Sequence, residues 1–172
     1  MIISASIEIY APMTLVWEVF TDIRQWREWN PVCRECRFET GKAMQAGACI
    51  SFTLNPLFVP IRIAPVVNFL EQGRKVVWSG GRFGIHAEHT FVFKQTDASS
   101  VIIDSTEVFS GFMLVPAKIF GLPARLHTLS IRLLEAIKAE AEMRFQQRGN
   151  PPSTGRAKTS GRPAVSKDRS KN

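Results

Sequence analysis

Apolar residues along this chain change their spacing several times, and each change marks an element. Ile3, Ala5, Ile7 and Ile9 alternate with polar neighbours, which predicts a strand over about residues 2 to 10. Pro12 then suits the first turn of a helix whose apolar face is Leu15, Val16, Val19, Phe20 and Ile23. Asp22 is placed to cap a second short helix through Trp26, and Asn30-Pro31 stops it, because a residue before proline is pushed out of the α region. Strand-like segments follow at about 32–40, 48–55, 60–71, 74–81, 84–95 and 100–110. Turn signals separate them at Gly41, Gly47, Asn55-Pro56, Gln72-Gly73, Gly80-Gly81 and Asp97-Ala98-Ser99-Ser100. From about Pro116 to Gln147 the spacing is helical, with Ile119, Leu122, Leu126, Leu129, Leu133 and Ile137 on one face. Gly121-Leu122-Pro123 predicts a kink or delayed start in that helix, and Gly149 a C-cap. A meandering sheet and a long helix, each with one apolar face, must bury those faces against each other. The expected fold is therefore α+β: a curved seven-stranded antiparallel sheet around a long C-terminal helix, with two short helices after the first strand.

Length and charge refine this picture. At 172 residues, one domain of ordinary size plus a tail is expected. The formal charge of +7 suggests a nucleic-acid footprint until it is located. Residues 149–172 carry Arg156, Lys158, Arg162, Lys167, Arg169 and Lys171 against the single acid Asp168, so the body over 1–148 is close to neutral. The tail has no aromatic and almost no aliphatic residue, which predicts disorder. Such a tail offers weak contact to an anionic surface but no specific nucleic-acid recognition. No apolar run is long enough to span a membrane, and the N-terminus alternates as a strand where a signal peptide would cluster its apolar residues. Three cysteines, Cys33, Cys36 and Cys49, are too few for a disulfide scaffold and fit free thiols in a reducing compartment. A cytoplasmic protein is expected.

The order strand, Pro-started helix, then Trp26-Arg27-Glu28-Trp29-Asn30-Pro31 resembles the START-like domains of the SRPBCC superfamily, which includes polyketide cyclase/dehydrase-like and Bet v 1-like proteins. Three later segments resemble strands of that family: Gly73-Arg74-Lys75-Val76-Val77-Trp78, His89-Thr90-Phe91-Val92-Phe93 and Glu107-Val108-Phe109-Ser110-Gly111. The resemblance covers about residues 2–145. It implies a helix-grip fold with an apolar cavity between sheet and long helix. Different members use that cavity for lipid or hormone carriage, for polyketide aromatisation and cyclisation, or serve in chaperone assistance. One fold thus implies no single chemistry.

Strand parity identifies which side chains face the helix. The apolar parity collects Val32, Cys36, Phe38, Ile50, Phe52, Leu54, Ile61, Ile63, Val67, Phe69, Val76 and Trp78, then Ile85, Phe91, Phe93, Val101, Ile103 and Phe109. His89, Ser105 and Glu107 share it and are polar. If the last hairpin turns near Ala98, His89 faces Glu107, Phe91 faces Ser105 and Phe93 faces Ile103. Directly opposed residues have Cβ atoms roughly 4.5–5.5 Å apart, within reach of an imidazole–carboxylate hydrogen bond. In an apolar pocket, burial raises a carboxyl pKa and a nearby carboxylate raises that of histidine, the setting of a general acid/base pair. A buried pair that merely satisfies itself is the structural alternative.

Other motifs carry less. The strand spacing of Cys33-Arg34-Glu35-Cys36 sends the two thiols to opposite faces, and neither a metal site nor a nucleotide loop is indicated, so no metal and no cofactor are expected. His86 and Glu88 share the outer face as a solvated cluster. Trp17, Trp26 and Trp29 are candidates for a cavity mouth or for packing. Residues 54–60 and 112–116 are rich in apolar side chains, which makes them an entrance or docking patch if exposed and a core cover if buried.

The leading expectation is a protein that binds a hydrophobic small molecule, lipid or polyketide-like, between sheet and C-terminal helix. The expected lining is Trp29, Phe38, Phe52, Ile63, Val67, Phe69, Trp78, Phe91, Ser105, Phe109, Phe120 and Leu126. The first alternative is a cofactor-independent cyclase or dehydratase with His89 and Glu107 as catalytic pair. The second is a chaperone-assisting or other protein-interaction module with a filled core. The pattern carries no oligomeric state.

Overall fold

The computed structural model describes residues 1–56, 60–119 and 121–149. Strand β1 (Ile2–Ile9) leads into helices α1 (Met13–Thr21) and α2 (Ile23–Trp29). The meander is β2 (Arg34–Thr40), β3 (Cys49–Leu54), β4 (Ile61–Ile63), β5 (Val66–Glu71), β6 (Lys75–Arg82), β7 (Ile85–Asp97) and β8 (Ser100–Ser110). Two helices close the chain, α3 (Leu114–Ile119) and α4 (Leu122–Gly149). The seven-strand path is β1-β8-β7-β6-β5-β3-β2, antiparallel throughout, with β4 attached to β3. This is the helix-grip architecture. The expected basic tail and Phe120 lie outside the described residues. Among the described residues no helix is long and apolar enough to cross a membrane.

Local chemistry explains the element ends. Pro12 supplies the extended N-cap of α1, and Asp22 separates the two short helices. No side-chain bond from Asp22 caps α2; its carbonyl accepts from the Gln25 N–H at 3.0 Å instead. Helix α2 runs to Trp29 and stops at Asn30, which is extended, as the proline rule requires. Gly121 adopts φ +74° between α3 and α4, a conformation glycine takes without strain.

Two expectations for residues 60–71 fail, each at an irregularity. The single strand expected over 60–71 is broken at Ala64-Pro65 into β4 and β5, because Pro65 has no N–H for the ladder. The Pro65 carbonyl still accepts from Ile50 N–H at 3.0 Å. Gly80 is what lets this break lie flat on β6: a Cβ there would stand 3.1 Å from Pro65 Cα. The second failure is Phe69, expected on the inner face and found 46% exposed. Register slips between the pairs Val67–Trp78 and Phe69–Val77, so Asn68 is an extra residue and everything beyond it turns over. Lys75 Nζ lies 5.8 Å from the exposed Phe69 ring, and Leu70 packs against the core in its place.

The core is centred on Phe20. Its ring meets Trp26, Trp78, Phe91 and Phe93 at centroid distances of 4.9–5.8 Å, and Trp17 abuts Phe93 at 5.1 Å. The C-terminal half of α4 seals this end through Leu134, Ile137 and Ala141, all buried.

Candidate functional site

The same two layers separate at the other end. Between the sheet and the N-terminal half of α4 lies a cavity of about 190 Å³. The helix contributes Leu122, Leu126, Leu129, Ser130 and Leu133, which recur at the spacing of one helical face. The sheet contributes Phe52, Ile63, Trp78, Ile85, Ala87 and Phe109, with Val32 and Cys33 from the α2–β2 connection. Apart from Ser130 these side chains are apolar or, at Cys33, a protonated thiol. His89 and Glu107 also line the cavity, and Arg82 and Phe83 stand at its exposed edge.

The β7–β8 register brings the polar residues together: His89 is opposite Glu107 and Phe91 opposite Ser105, as strand parity predicts. The contact made is different, however. His89 Nδ1 is 3.7 Å from Glu107 Oε1, too far for a hydrogen bond, while Nε2 is 2.7 Å from Ser105 Oγ. Ser105 Oγ in turn lies 3.5 Å from Ser130 Oγ on α4. The His89 ring stacks on Phe91 at 4.0 Å and meets the edge of Trp78 at 5.7 Å.

Burial governs the protonation of both groups. It drives His89 down to about 3, so the imidazole is neutral at ordinary pH. This reverses the expectation that the carboxylate would raise it: desolvation outweighs a partner at 3.7 Å. Burial also lifts Glu107 to about 7, a carboxyl poised between its two forms near neutrality. Cys33 is pushed well above its usual value, first by burial and then by Cys36 and Glu107, so its thiol stays protonated. Burial raises Cys36 to about 12. The two thiols are not on opposite faces, because Glu35 takes φ +53° and a bulge turns both inward. The cavity thus ends on a neutral imidazole and a carboxyl near its midpoint, and among the described lining residues the one cationic side chain, Arg82, stands at the exposed edge. Among the described residues no three His, Cys, Asp or Glu side chains converge as metal ligands.

The chain matches, over residues 1–149, the model of the family described as polyketide cyclase/dehydrase and lipid transport. It belongs to this family. No curated protein matches it by sequence. Among solved structures it resembles the Zhui aromatase/cyclase from Streptomyces sp. R1128, at 16% identity over 87% of this chain and 98% of that one, TM-score 0.72. A START superfamily protein from Mycobacterium smegmatis is similar at 14% identity over 86% and 98%, TM-score 0.64. Norcoclaurine synthase from Thalictrum flavum is similar at 14% identity over 84% and 95%, TM-score 0.61. At such identities the likeness establishes a START/Bet v 1-like fold, and it spans proteins named for different activities.

Within this family member the expected lining residues part ways. Phe52, Ile63, Trp78, Phe109 and Leu126 border the cavity together with His89 and Glu107. Phe91 and Ser105 lie behind His89, and Val67 is sealed in the core. Phe38 sits at the core edge under the Arg24 guanidinium, 5.5 Å from the ring centroid. Trp29 borders a separate shallow groove with Pro31, Ala136, Ala139 and Met143, and Phe69 faces outward. Trp17 and Trp26 are core residues. Ser130 was not among the expected residues, although it interrupts the leucine face between Leu126 and Leu133 as visibly as His89 interrupts its strand. Ala87 shares the inward parity of Ile85 and His89 on β7, whereas Arg82 and Phe83 had no such signal, since the β6–β7 turn places them.

Proposed function

We propose that this protein binds a hydrophobic small molecule, lipid or polyketide-like, with its apolar body against the leucine face of α4 and one neutral polar group at His89 and Glu107. The observation that carries this reading is an apolar cavity whose inner end holds a neutral imidazole and a carboxyl near its midpoint. A carbonyl or hydroxyl matches these groups, because each can accept or, when protonated, donate. At about 190 Å³ the hollow is below the roughly 300–1,000 Å³ of drug-sized pockets, which favours a compact ring system or one end of a longer chain. Native mass spectrometry of the purified protein, followed by extraction, tests this. A stoichiometric apolar adduct absent from Ala87→Phe supports it; persistent apo mass after incubation with lipid and aromatic libraries refutes it.

A second reading is favoured by one feature, the Glu107 carboxyl held at about 7 beside His89. A group with that pKa serves as acid and base in turn, as cofactor-independent cyclisation with dehydration requires. Loss of turnover in Glu107→Gln and His89→Ala with ligand affinity retained would establish it. The hollow itself argues against the filled core of a protein-interaction module.

A further inference from the structure

The edge of the cavity is apolar on its outside as well as its inside. The β6–β7 hairpin turns on Phe83 and Gly84, with φ of +52° and +71°. Two positive φ values in a two-residue turn are the pattern that favours Asn-Gly. A phenylalanine here gains nothing from the backbone, and at 66% exposure it gains little from the core. Gly84 is roofed by the next segment: a Cβ on it would stand 2.6 Å from the Phe112 ring and 3.0 Å from Met113 Cγ. Phe112 is itself 79% exposed, Met113 40% and Val115 69%, while Leu114 between them is buried with Phe109 and Ile3. Phe83, Phe112, Met113 and Val115 therefore form one lip, anchored beneath and open above, beside the cavity.

The charge set directly against this lip is positive. No Asp or Glu occurs in residues 40–70, 72–87 or 108–134, the segments that supply most of the cavity wall and all of the lip. They do contain Arg62, Arg82 and Arg125; Arg62 is paired with Glu39 of β2, whereas the Arg82 guanidinium lies 4.8 Å from the Phe83 ring centroid and is the cation set at the lip. Aromatic side chains at the tips of turns, bordered by arginine and free of acids, match one surface: apolar acyl chains beneath anionic headgroups.

We propose that this lip docks the protein on an anionic lipid bilayer, with Phe83 and Phe112 entering the acyl region and the cavity edge facing the membrane. The docking rests on the ligand reading only for its use, since a bilayer is where an apolar ligand would be exchanged. The test is flotation of the full chain with vesicles of phosphatidylcholine and phosphatidylserine against phosphatidylcholine alone, at low and high salt. Binding to the anionic vesicles that weakens with salt is expected. Phe83→Asn and Phe112→Ser should each reduce it about tenfold, the factor for withholding one large apolar side chain. Asparagine suits the turn, so Phe83→Asn should melt no lower than the parent, which separates docking from folding. Ala87→Phe, which fills the cavity, should float as the parent does, so a failed ligand reading and a failed docking reading give different results. The proposal is overturned if the parent does not float, or if both lip variants float unchanged. It is also overturned if neutralising the six basic residues of 149–172 abolishes binding that the lip variants retain, or if those variants only dissociate a dimer.

Discussion

The two ends of the interior are built from the same sheet and the same helix, yet one is solid and the other hollow. At the solid end α1 and α2 drive Phe20 and Trp26 between the layers, and Leu134, Ile137 and Ala141 of α4 close on them. At the other end no element among the described residues enters the gap. The leucine face of α4 continues from Leu133 to Leu122, but the sheet side chains across from it, among them Phe52, Trp78, Ala87 and Phe109, border a hollow there. The solid end supplies stability and the hollow end supplies a site, and the polar chain from His89 through Ser105 to Ser130 stands at their boundary.

If that division is right, truncation should hurt most at the solid end. Phe20→Ala removes the ring on which Trp26, Trp78, Phe91 and Phe93 converge, and should cost about 3–5 kcal/mol in urea denaturation. A cost comparable to that of a surface substitution would erase the distinction.

Next in size is a gain. Glu107 has a folded pKa of about 7 against an ordinary 4.5, so the folded state retains its proton where the unfolded state has lost it. Stability is therefore fully present below 4.5 and declines as pH rises toward 7. Glu107→Gln removes this decline: it should melt like the parent near about pH 4 and be more stable by about 1–3 kcal/mol near about pH 8. His89 acts in the opposite sense. Its folded pKa of about 3 lies below the ordinary 6.5, so its contribution is present above 6.5 and lost as pH falls toward 3. The two slopes oppose each other between 4.5 and 6.5, and each variant should expose the other's slope in a pH series of melting curves.

At the boundary, Ser105→Ala strands His89 Nε2 in the interior and should cost about 1–2 kcal/mol, measured by thermal melting. Smallest of all is Leu126→Ala. Its side chain already borders empty space, so about 1 kcal/mol or less is expected, together with a measurable change in ligand binding. A Leu126→Ala loss equal to that of Phe20→Ala would mean that the hollow end is packed.

Period and parity made most of this legible. The hairpin register was readable because β7 and β8 are long and joined by one short turn: a single irregularity lies between Gln95 and Asp97, and beyond it the pairing runs unbroken from Gln95–Val101 through His89–Glu107, the register of a turn centred at Ala98. Phe69 was misread because one extra residue, Asn68, inverts the parity of the residues after it, and a bulge has no strong signature among apolar neighbours. The split at Pro65 was signalled by the proline but masked by the flanking Ile63 and Val66. Of the twelve expected lining residues, those near Leu126 border the cavity, whereas Val67 and Phe91 share their parity but lie at the solid end. Parity reports a face and not a position along it.

The order of elements, the antiparallel register of the last hairpin, the apolar face of α4 and the polar exceptions on β7 and β8 come from the sequence alone, because each depends on local spacing. Where the cavity lies, that His89 bonds Ser105 and not Glu107, and that Phe83 and Phe112 share one lip depend on contacts between residues distant in the chain. Those contacts are set by how far α1 and α2 fill the space under α4, a matter of volume in three dimensions that no one-dimensional period records.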